Sequence, residues 1–387
     1  MNANPLIELN ALGQSIWFDN IERKLITQGE LKRMIEEDAI SGITSNPAIF
    51  EKAISNSDEY ADQLRELVEQ NKTAMEIYES LATTDIRMAA DTLAPVYEKT
   101  EGVDGFVSLE CSPLLARDTR ATIEEVRRLW QWLDRPNVMI KIPGTEEGMP
   151  AIEQCIYEGI NINITLLFSL ASYDATIEAY LRGLERRASE GKPVTGIASV
   201  ASFFVSRIDT AIDKRLEQMI NESKDEEERA RLGSLMGRIA IANARMAYQR
   251  FKEVFHGPRF RALADKGARV QRPLWASTST KNPAYKDIYY VEALIAPQTI
   301  DTLPPQTLAA FRDHGKVRIS IEDNLDEDRA LLRLLEEVGI SLDEVTAQVL
   351  NDGVRLFAEP FEKLLRTIDA KRAEILARQA TTGTARD

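Results

Sequence analysis

Short apolar runs recur along the chain, and a segment with helical periodicity follows each of them. The segment 120–133 illustrates the helical type, because its apolar side chains repeat at the spacing of one helix face. Strands that alternate with helices in this way predict an α/β protein with a (β/α)8 TIM barrel. The eight predicted strands cover residues 15–19, 42–45, 105–110, 138–142, 161–166, 195–201, 273–276 and 299–303.

An open, doubly wound sheet is the alternative fold, because the first and last predicted strands are only weakly marked. Sheets of that kind usually carry a glycine-rich dinucleotide fingerprint or a Walker loop after a strand. Neither motif follows any predicted strand of this chain. The pattern therefore favours the closed barrel.

A long helical insertion is predicted within the barrel. Residues 206–256 are almost entirely helical in pattern, and the acidic stretch 222–228 is expected to separate two helices. With this insertion, the barrel is expected to occupy about residues 1–314. We expect the whole chain, residues 1–387, to form a single (β/α)8 barrel domain.

Helices continue beyond the predicted barrel. An apolar stretch at 317–321 precedes helical patterns at 325–338 and 342–377, so we expect a C-terminal extension over about 317–378. This extension could cover the barrel mouth as a partial lid or pack against the side of the barrel, and the pattern favours neither. The tail 379–387 is expected to be disordered.

The composition is that of an ordinary globular protein. With 44% apolar residues, 28% charged residues and a formal net charge of -14, it argues against a nucleic-acid-binding protein. No apolar stretch approaches the roughly 20 residues that cross a bilayer, and the first residues lack the features of a signal peptide. We therefore expect a cytoplasmic protein without a nucleic-acid or membrane partner, either a monomer or a homodimer.

Cysteine and histidine are rare, which argues against a metal site. The chain has two of each, Cys111, Cys155, His256 and His314, and none of them stands at metal-ligand spacing. Two cysteines without such spacing fit the reducing cytoplasm. Acid–base chemistry would then depend on carboxyl groups, hydroxyl groups and lysine.

Lys141 interrupts the fourth predicted strand, in the otherwise apolar run VMIKIPG at 138–144. An amine in a core or an active site is expected to have a lowered pKa, and the neutral amine attacks carbonyl carbon. The alternative is a lysine that faces solvent from an edge strand. Pro143 and Gly144 end the strand, and 145–147 resembles the cap and first turn of a helix.

Polar side chains stand at the ends of most other predicted strands. Active sites of (β/α)8 barrels lie at the C-terminal ends of the strands, so these side chains are expected to converge on one rim. Each alone could be only a turn, cap or loop residue, but together they favour an enzyme over a binding module. The candidates besides Lys141 are Asp19, Thr44, Asn46, Glu110, Asn163, Thr165, Ser202, Phe204, Arg207, Ser277, Ser279 and Lys281.

These residue types suit cleavage of a carbon–carbon bond next to a ketone. Lys141 would attack the ketone, and the resulting iminium group would withdraw electrons from the neighbouring bond. Asp19 suits the base that removes a proton from the adjacent hydroxyl group. Loss of water from the carbinolamine needs a second proton shuttle, for which Glu110 and Thr165 are candidates.

The remaining candidates suit recognition of a phosphorylated polyol. Asn46 and Asn163 could bind substrate hydroxyl groups or hold the carbanionic enamine. Arg207 and Lys281, with the hydroxyl-rich loop 277–279, could hold a phosphate group.

With these residues in place, the chain strongly resembles the transaldolases in their longer bacterial form. The resemblance covers the chain from about Leu9 to Leu365, and five specific segments in the right order are not expected by chance. These segments are GITSNP at 42–47, VSLE at 107–110, MIKIP at 139–143, NINITLLFS at 161–169 and SFFVSR at 202–207.

The resemblance implies a class I (β/α)8 barrel aldolase that works through a Schiff base, without a metal ion or an organic cofactor. It implies transfer of a dihydroxyacetone unit between sugar phosphates, in the non-oxidative pentose phosphate pathway. The usual donor is sedoheptulose 7-phosphate and the usual acceptor glyceraldehyde 3-phosphate, giving erythrose 4-phosphate and fructose 6-phosphate.

The resemblance also implies roles for individual residues. Lys141 matches the Schiff-base lysine and Asp19 the acid–base group, while Glu110 and Thr165 match the pair that handles the catalytic water. One departure concerns Lys281, which stands where shorter members have an arginine, two residues offset, and lacks that side chain's bidentate fork. Substrate and phosphate contacts are implied for Thr44, Asn46, Asn163, Ser202 and Arg207.

Two other functions stay open at this point. A fructose 6-phosphate aldolase shares the fold and the lysine but has glutamine and tyrosine where this chain has Glu110 and Phe204. The carboxyl group and the phenyl ring therefore favour transfer. A catalytically silent sugar-phosphate-binding protein is the other alternative, against which the intact set of Lys141, Asp19 and Glu110 argues.

Overall fold

Eight parallel strands close into a barrel in the computed structural model, which describes residues 4–383 and the side chains of residues 4–378. The first strand pairs with the second and also with the eighth, where Gln14 lies opposite Thr299. The predicted (β/α)8 barrel is confirmed, and the alternative of an open sheet is wrong. The strands are β1 Gln14–Phe18, β2 Ile40–Thr44, β3 Phe106–Glu110, β4 Val138–Pro143, β5 Ile162–Leu167, β6 Ser199–Phe204, β7 Arg272–Ala276 and β8 Thr299–Leu303.

Helices follow the strands around the outside of the barrel. Two short 3-10 helices, Asp58–Tyr60 and Pro113–Leu115, lie between them. The α-helices are α1 Pro5–Ala11, α2 Arg23–Thr27, α3 Glu30–Asp38, α4 Pro47–Asn56, α5 Ala61–Glu69, α6 Ala74–Lys99, α7 Thr119–Leu133, α8 Gly148–Glu158, α9 Leu170–Ser189, α10 Ser206–Glu222, α11 Glu226–Gly233, α12 Ile239–Phe255, α13 Pro258–Ala264, α14 Tyr289–Ala293, α15 Pro305–His314, α16 Leu325–Glu337 and α17 Leu342–Gly383.

Two predicted elements start three or more residues away from their start in the structure. Strand β6 begins at Ser199 rather than at residue 195, because the chain still turns at Gly196, where φ is 78°. Helix α8 begins at Gly148 rather than at residue 145. Thr145 precedes the helix in a turn, and its hydroxyl group accepts a hydrogen bond from the Gly148 amide at 3.0 Å.

The insertion between β6 and β7 contains four helices, α10 to α13, and it continues to Ala264, beyond the predicted end at residue 256. Helix α10 ends at Glu222 and α11 begins at Glu226, so the break lies within the predicted acidic stretch. The last three residues of that stretch, Glu226, Glu227 and Glu228, form the first turn of α11, where negative side chains stabilise the positive end of the helix dipole. The Asp225 side chain caps the helix by accepting a hydrogen bond from the Glu227 amide at 3.0 Å.

The C-terminal extension crosses the mouth of the barrel. Helix α17 packs against α4 and α6, which both lie between β2 and β3 in the chain, and against α10, which follows β6. It also approaches β5. The extension therefore covers part of the C-terminal end of the barrel. A disordered tail is predicted for residues 379–387. Residues 379–383 instead continue α17, and residues 384–387 lie outside the described residues.

One hydrophobic core connects the barrel to the surrounding helices. It includes residues from Leu6 in α1 to Ile368 in α17. We infer that barrel, insertion and extension form a single domain, because the three share this core. None of the helices in the described part of the chain is long and apolar enough to cross a bilayer.

Trp17 in β1 packs closely against β2 and depends on a glycine there. The indole ring is fully buried, and its nitrogen donates a hydrogen bond to Asp104 Oδ1 at 3.0 Å. A Cβ atom at Gly42 would lie 2.5 Å from the ring. Because the hydrogen bond holds the indole in place, the ring cannot move away from an added methyl group.

We expect Gly42→Ala to lower the free energy of unfolding by about 1–3 kcal/mol, the usual effect of overpacking a core. The urea midpoint and the thermal midpoint would measure this loss. Gly233→Ala is the matched control, because nothing lies within 4 Å of the added Cβ atom there. Equal midpoints for Gly42→Ala and the wild-type protein would contradict the close packing of Trp17 on β2.

Candidate active site

A polar cavity of about 520 Å³ opens at the C-terminal end of the barrel. All the predicted site residues line it except Glu110 and Asn163, which lie behind its wall. The residues around the cavity are Asp19, Thr44, Asn46, Lys52, Lys141, Thr165, Ser202, Phe204, Arg207, Ala276, Ser277, Ser279, Thr280, Lys281, Thr302, Pro304, Pro305, Gln306, Thr307 and Phe357.

A larger cavity, about 920 Å³, lies at the opposite end of the barrel, where the strands begin. Its walls are mostly apolar, and its buried charges are already paired. Arg272 lies 3.2 Å from Asp104 Oδ1, and the Ser15 hydroxyl group donates to the same carboxyl group at 2.5 Å. The smaller cavity has the unpaired reactive groups and is therefore the candidate active site.

Lys141 lies inside the barrel, at the floor of the active-site cavity. It is 4% exposed, and β4 is flanked by β3 and β5, so the alternative of a solvent-facing lysine on an edge strand is wrong. The Lys141 Nζ atom donates a hydrogen bond to the Ser45 carbonyl oxygen at 3.0 Å and lies 3.3 Å from Glu110 Oε2. The amine is thus held at a fixed point against a carboxyl group.

Glu110 is directly opposite Lys141 in the pairing of β3 with β4. Burial raises the pKa of Glu110 to about 7, although the Lys141 charge acts in the opposite direction. Neither Glu110 oxygen has a hydrogen-bond partner among the described residues, and the buried Thr165 hydroxyl group also lacks one. A carboxyl group that titrates near neutral pH beside an amine is suited to proton transfer.

Asp19 stands in the wall of the cavity, where β1 ends. The Thr44 hydroxyl group donates a hydrogen bond to Asp19 Oδ1 at 2.6 Å, and its oxygen lies 2.6 Å from that of Thr302. Burial raises the pKa of Asp19, while the Thr44 hydrogen bond and the charges of Lys141 and Lys281 oppose this rise. The second candidate carboxyl group is therefore also biased towards holding a proton.

Asn46 and Asn163 occupy different positions relative to the cavity. The Asn46 side chain caps α4 by accepting a hydrogen bond from the Ile49 amide at 3.1 Å, and it also lines the cavity. Asn163 is fully buried, accepts from the Ser202 hydroxyl group at 2.7 Å and donates to Ser108 at 3.0 Å. Its amide therefore orients Ser202 instead of facing the cavity.

Two cations stand at one side of the cavity. Arg207 has neither a hydrogen bond nor an ion pair with any side chain in the described part of the chain, and its guanidinium carbon lies 5.6 Å from the centre of the Phe204 ring. Lys281 donates a hydrogen bond to Ser279 Oγ at 2.8 Å. Burial lowers the pKa of Lys281, and the Arg207 charge lowers it further. Two cations that repel each other are suited to hold one anionic group between them.

Ser277 connects this side of the cavity to the start of α10. Its carbonyl oxygen accepts a hydrogen bond from the Ser206 amide at 3.0 Å, and the two hydroxyl oxygens are also 3.0 Å apart. Ser277 adopts a φ of 56°, a left-handed conformation that turns the chain out of β7. The serine-rich loop thereby stands next to Arg207.

Several residues of the cavity were missed from the sequence. Thr302 stands near the C-terminal end of the eighth predicted strand, and the rule that points to strand ends could have found it. Lys52 in α4 and Phe357 in α17 had no such signal, because only the packing of their helices brings them to the barrel mouth. Among the described residues, no three His, Cys, Asp or Glu side chains cluster closely enough to hold a metal ion.

The chain is similar to known proteins over almost its whole length. The family model Transaldolase/Fructose-6-phosphate aldolase matches residues 16–368. A transaldolase from Trichodesmium erythraeum is 48% identical, over 96% of this chain and 98% of that protein. Transaldolase 2 from a Nostoc species (strain PCC 7120) is 49% identical over the same shares of the two chains. A transaldolase from Frankia alni is 44% identical, over 98% of this chain and all of that protein.

We expect the Glu110 carboxyl group to titrate near pH 7, well above an ordinary glutamate. Carbon-13 NMR of protein with labelled glutamate side chains would detect the titration, and Glu110→Gln would assign it. In Lys141→Met the midpoint should rise, because the positive charge that favours the carboxylate is gone. An unchanged midpoint in Lys141→Met would contradict electrostatic contact between the two groups.

Proposed function

This chain belongs to the transaldolase family and is a transferase with transaldolase activity, and we propose a mechanism for it. In this mechanism the enzyme acts through a Schiff base on Lys141. The observation that carries this proposal is the buried Lys141 amine, which lies at the floor of a polar cavity 3.3 Å from Glu110. A fixed amine beside a carboxyl group of raised pKa is suited to attack on a ketone.

The first stage forms the Schiff base. The Lys141 nitrogen attacks the ketone carbon of the donor sugar, and the carbonyl oxygen takes up a proton to give a carbinolamine. That hydroxyl group then takes a second proton and leaves as water, and the nitrogen lone pair forms the iminium bond. Glu110 supports this stage because it lies 3.3 Å from the Lys141 amine, and Thr165 because its hydroxyl group lines the same cavity and has no hydrogen-bond partner in the described structure.

The second stage breaks the carbon–carbon bond. Asp19 accepts a proton from the hydroxyl group on the carbon atom that lies across this bond from the Schiff-base side. That carbon atom becomes an aldehyde, and the fragment that contains it leaves. The bonding electron pair moves towards the iminium group and forms an enamine of dihydroxyacetone on Lys141. The enamine then attacks the acceptor aldehyde, whose oxygen takes the proton back from Asp19. Water hydrolyses the new Schiff base by reversal of the first stage, which releases the product ketose and the free Lys141 amine. The raised pKa of Asp19 supports this double role.

The substrates proposed are sugar phosphates, with sedoheptulose 7-phosphate as donor and glyceraldehyde 3-phosphate as acceptor. Arg207 and Lys281 support the phosphate site, because both are cations at one side of the cavity and Arg207 has its donors free of other side chains. Lys281 offers a point charge there, without the fork of an arginine. The proposed reaction needs neither a metal ion nor an organic cofactor.

The second candidate is a fructose 6-phosphate aldolase, which releases dihydroxyacetone instead of transferring it. Release requires that the enamine takes up a proton in place of the acceptor. Phe204 is 6% exposed, and the centre of its ring lies 5.2 Å from the centre of the Phe168 ring. Its phenyl ring has no acidic proton to donate to the enamine on this side of the cavity. Stoichiometric release of dihydroxyacetone from fructose 6-phosphate, without an acceptor, would favour this candidate.

We also propose a cytoplasmic location and a place in the non-oxidative pentose phosphate pathway (the pentose shunt) within carbohydrate metabolism. Both cysteines, Cys111 and Cys155, are free and buried, which is compatible with a reducing compartment. Neither a nucleic acid nor a membrane is proposed as a partner. Monomer and homodimer remain alternative states of assembly.

Borohydride trapping with fructose 6-phosphate tests the covalent mechanism. We expect a reduced three-carbon adduct on Lys141, located by peptide mass mapping, and no adduct in Lys141→Met. Lys281→Met should still be trapped at saturating sugar, because it keeps the Schiff-base amine. Absence of an adduct on any lysine, in protein shown to bind the sugar, would instead indicate a silent binder.

Asp19→Asn should still form the Schiff base but break the carbon–carbon bond about 10²–10⁴ times more slowly, because the amide cannot accept the proton. The same trapping experiment distinguishes the two stages by mass. The variant should accumulate a six-carbon adduct on Lys141, where the wild-type protein gives a three-carbon adduct. A three-carbon adduct that forms at the wild-type rate would remove Asp19 from this role.

A further inference from the structure

Helix α17 contributes to the active-site cavity an aromatic ring that takes no part in the proposed reaction steps. The ring belongs to Phe357, which is 6% exposed and lines the cavity. We propose that Phe357 is a positioning residue that holds the Arg207 guanidinium group in the orientation that binds the substrate phosphate. This inference rests on the proposed function, in which Arg207 is part of the phosphate site.

Arg207 lies between two aromatic rings. Its guanidinium carbon is 5.6 Å from the centre of the Phe204 ring and 5.9 Å from the centre of the Phe357 ring. Both rings are almost fully buried, and they come from distant parts of the chain, β6 and α17. A guanidinium group at such distances is attracted by the negative faces of the rings.

These rings are the direct contacts that can orient Arg207, and the Asp352 charge in α17 attracts the guanidinium group without forming an ion pair with it. The guanidinium group makes no hydrogen bond and no ion pair within the described part of the chain, so polar partners do not fix it. Its five N–H donors therefore remain available to the phosphate oxygens of a ligand. Without one of the rings, the long side chain would sample more rotamers, and binding an anion would have to restrict them again.

Two other cations of the site, Lys141 and Lys281, are held differently. Lys281 donates a hydrogen bond to Ser279, and Lys141 is fixed by the Ser45 carbonyl oxygen and the Glu110 carboxyl group. The Phe357 ring also lies 5.8 Å from Lys141 Nζ. Because Lys141 has polar partners and Arg207 has none, loss of the ring should affect Arg207 more than it affects the Schiff-base amine.

The neighbouring turns of α17 hold Phe357 in this place. One turn earlier, the helix backbone comes so close to the barrel that a Cβ atom on Gly353 would lie 3.0 Å from Leu166 and 3.6 Å from an Arg207 nitrogen. One turn later, the Phe361 ring packs edge-on against Tyr78 at 5.1 Å. Positions 353, 357 and 361 thus form one helix face that rests on the barrel mouth.

The test compares Phe357→Leu, which fills much of the volume without a ring, with Phe357→Tyr, which keeps a ring. Phe361→Leu is the matched control, because it removes a buried ring from the same helix face without a contact to Arg207. With unphosphorylated glyceraldehyde as the acceptor in every assay, the KM for fructose 6-phosphate and for unphosphorylated fructose and the kcat values would be determined for each variant. The affinity for inorganic phosphate would be measured by calorimetry.

In Phe357→Leu we expect the KM for fructose 6-phosphate to rise about tenfold and inorganic phosphate to bind about tenfold more weakly, the effect of losing one partly desolvated cation–π contact. The kcat value and the kinetics with unphosphorylated fructose should change much less. Phe357→Tyr and Phe361→Leu should both bind phosphate as the wild-type protein does.

Three results would overturn the inference. They are wild-type phosphate binding in Phe357→Leu, an equal loss with unphosphorylated fructose, and an equal loss in Phe361→Leu. Each of these is distinct from failure of the proposed function, which would appear as an inactive wild-type protein. Phosphate binding can be measured without turnover, so the two results are read independently.

Discussion

The contact between Lys141 and Glu110 is the constraint on which the active site depends. Two opposite charges withdrawn from water are costly to bury, and removing one partner of such a pair generally costs about 3–5 kcal/mol. Here the cost is moderated because Glu110 titrates near neutral pH and need not be charged at all times. A buried pair whose carboxyl group titrates near neutral pH is a poor structural element and is suited to chemistry. The closed barrel provides the rigid surroundings that this pair requires.

Sequence reasoning succeeded where a local pattern determines the position of a residue. Eight apolar runs predicted the eight strands, and the ends of those strands brought Asp19, Thr44 and Lys141 to one cavity. Once an apolar strand lies in the middle of a sheet, a lysine within it has few alternatives to a buried position. The beginning of β6 was harder, because residues 195–198 are apolar enough for a strand but turn at Gly196.

Other parts of the site depend on packing between distant segments, which no local pattern encodes. Nothing in the sequence near Phe357 distinguishes it from Phe361, since both lie on the buried face of α17. Only the path of the helix across the barrel brings the first ring over Arg207 and the second over Tyr78. The positions of the two asparagines also depend on packing. Asn46 faces the cavity and caps α4, whereas Asn163 lies behind the cavity wall and accepts a hydrogen bond from Ser202.

The closure of the barrel by β1 and β8 has a consequence for the synthesis of the protein. Asp19 and β1 leave the ribosome long before β8, the strand beginning at Thr299 that pairs with β1, and α17 follows later still. A growing chain therefore cannot assemble the whole site until β8 and α17 have also been synthesised. Contacts at such sequence separation also form slowly, so β1 has to wait for its second neighbour with one edge unpaired. Catalytic competence therefore depends on synthesis of the chain at least as far as Phe357.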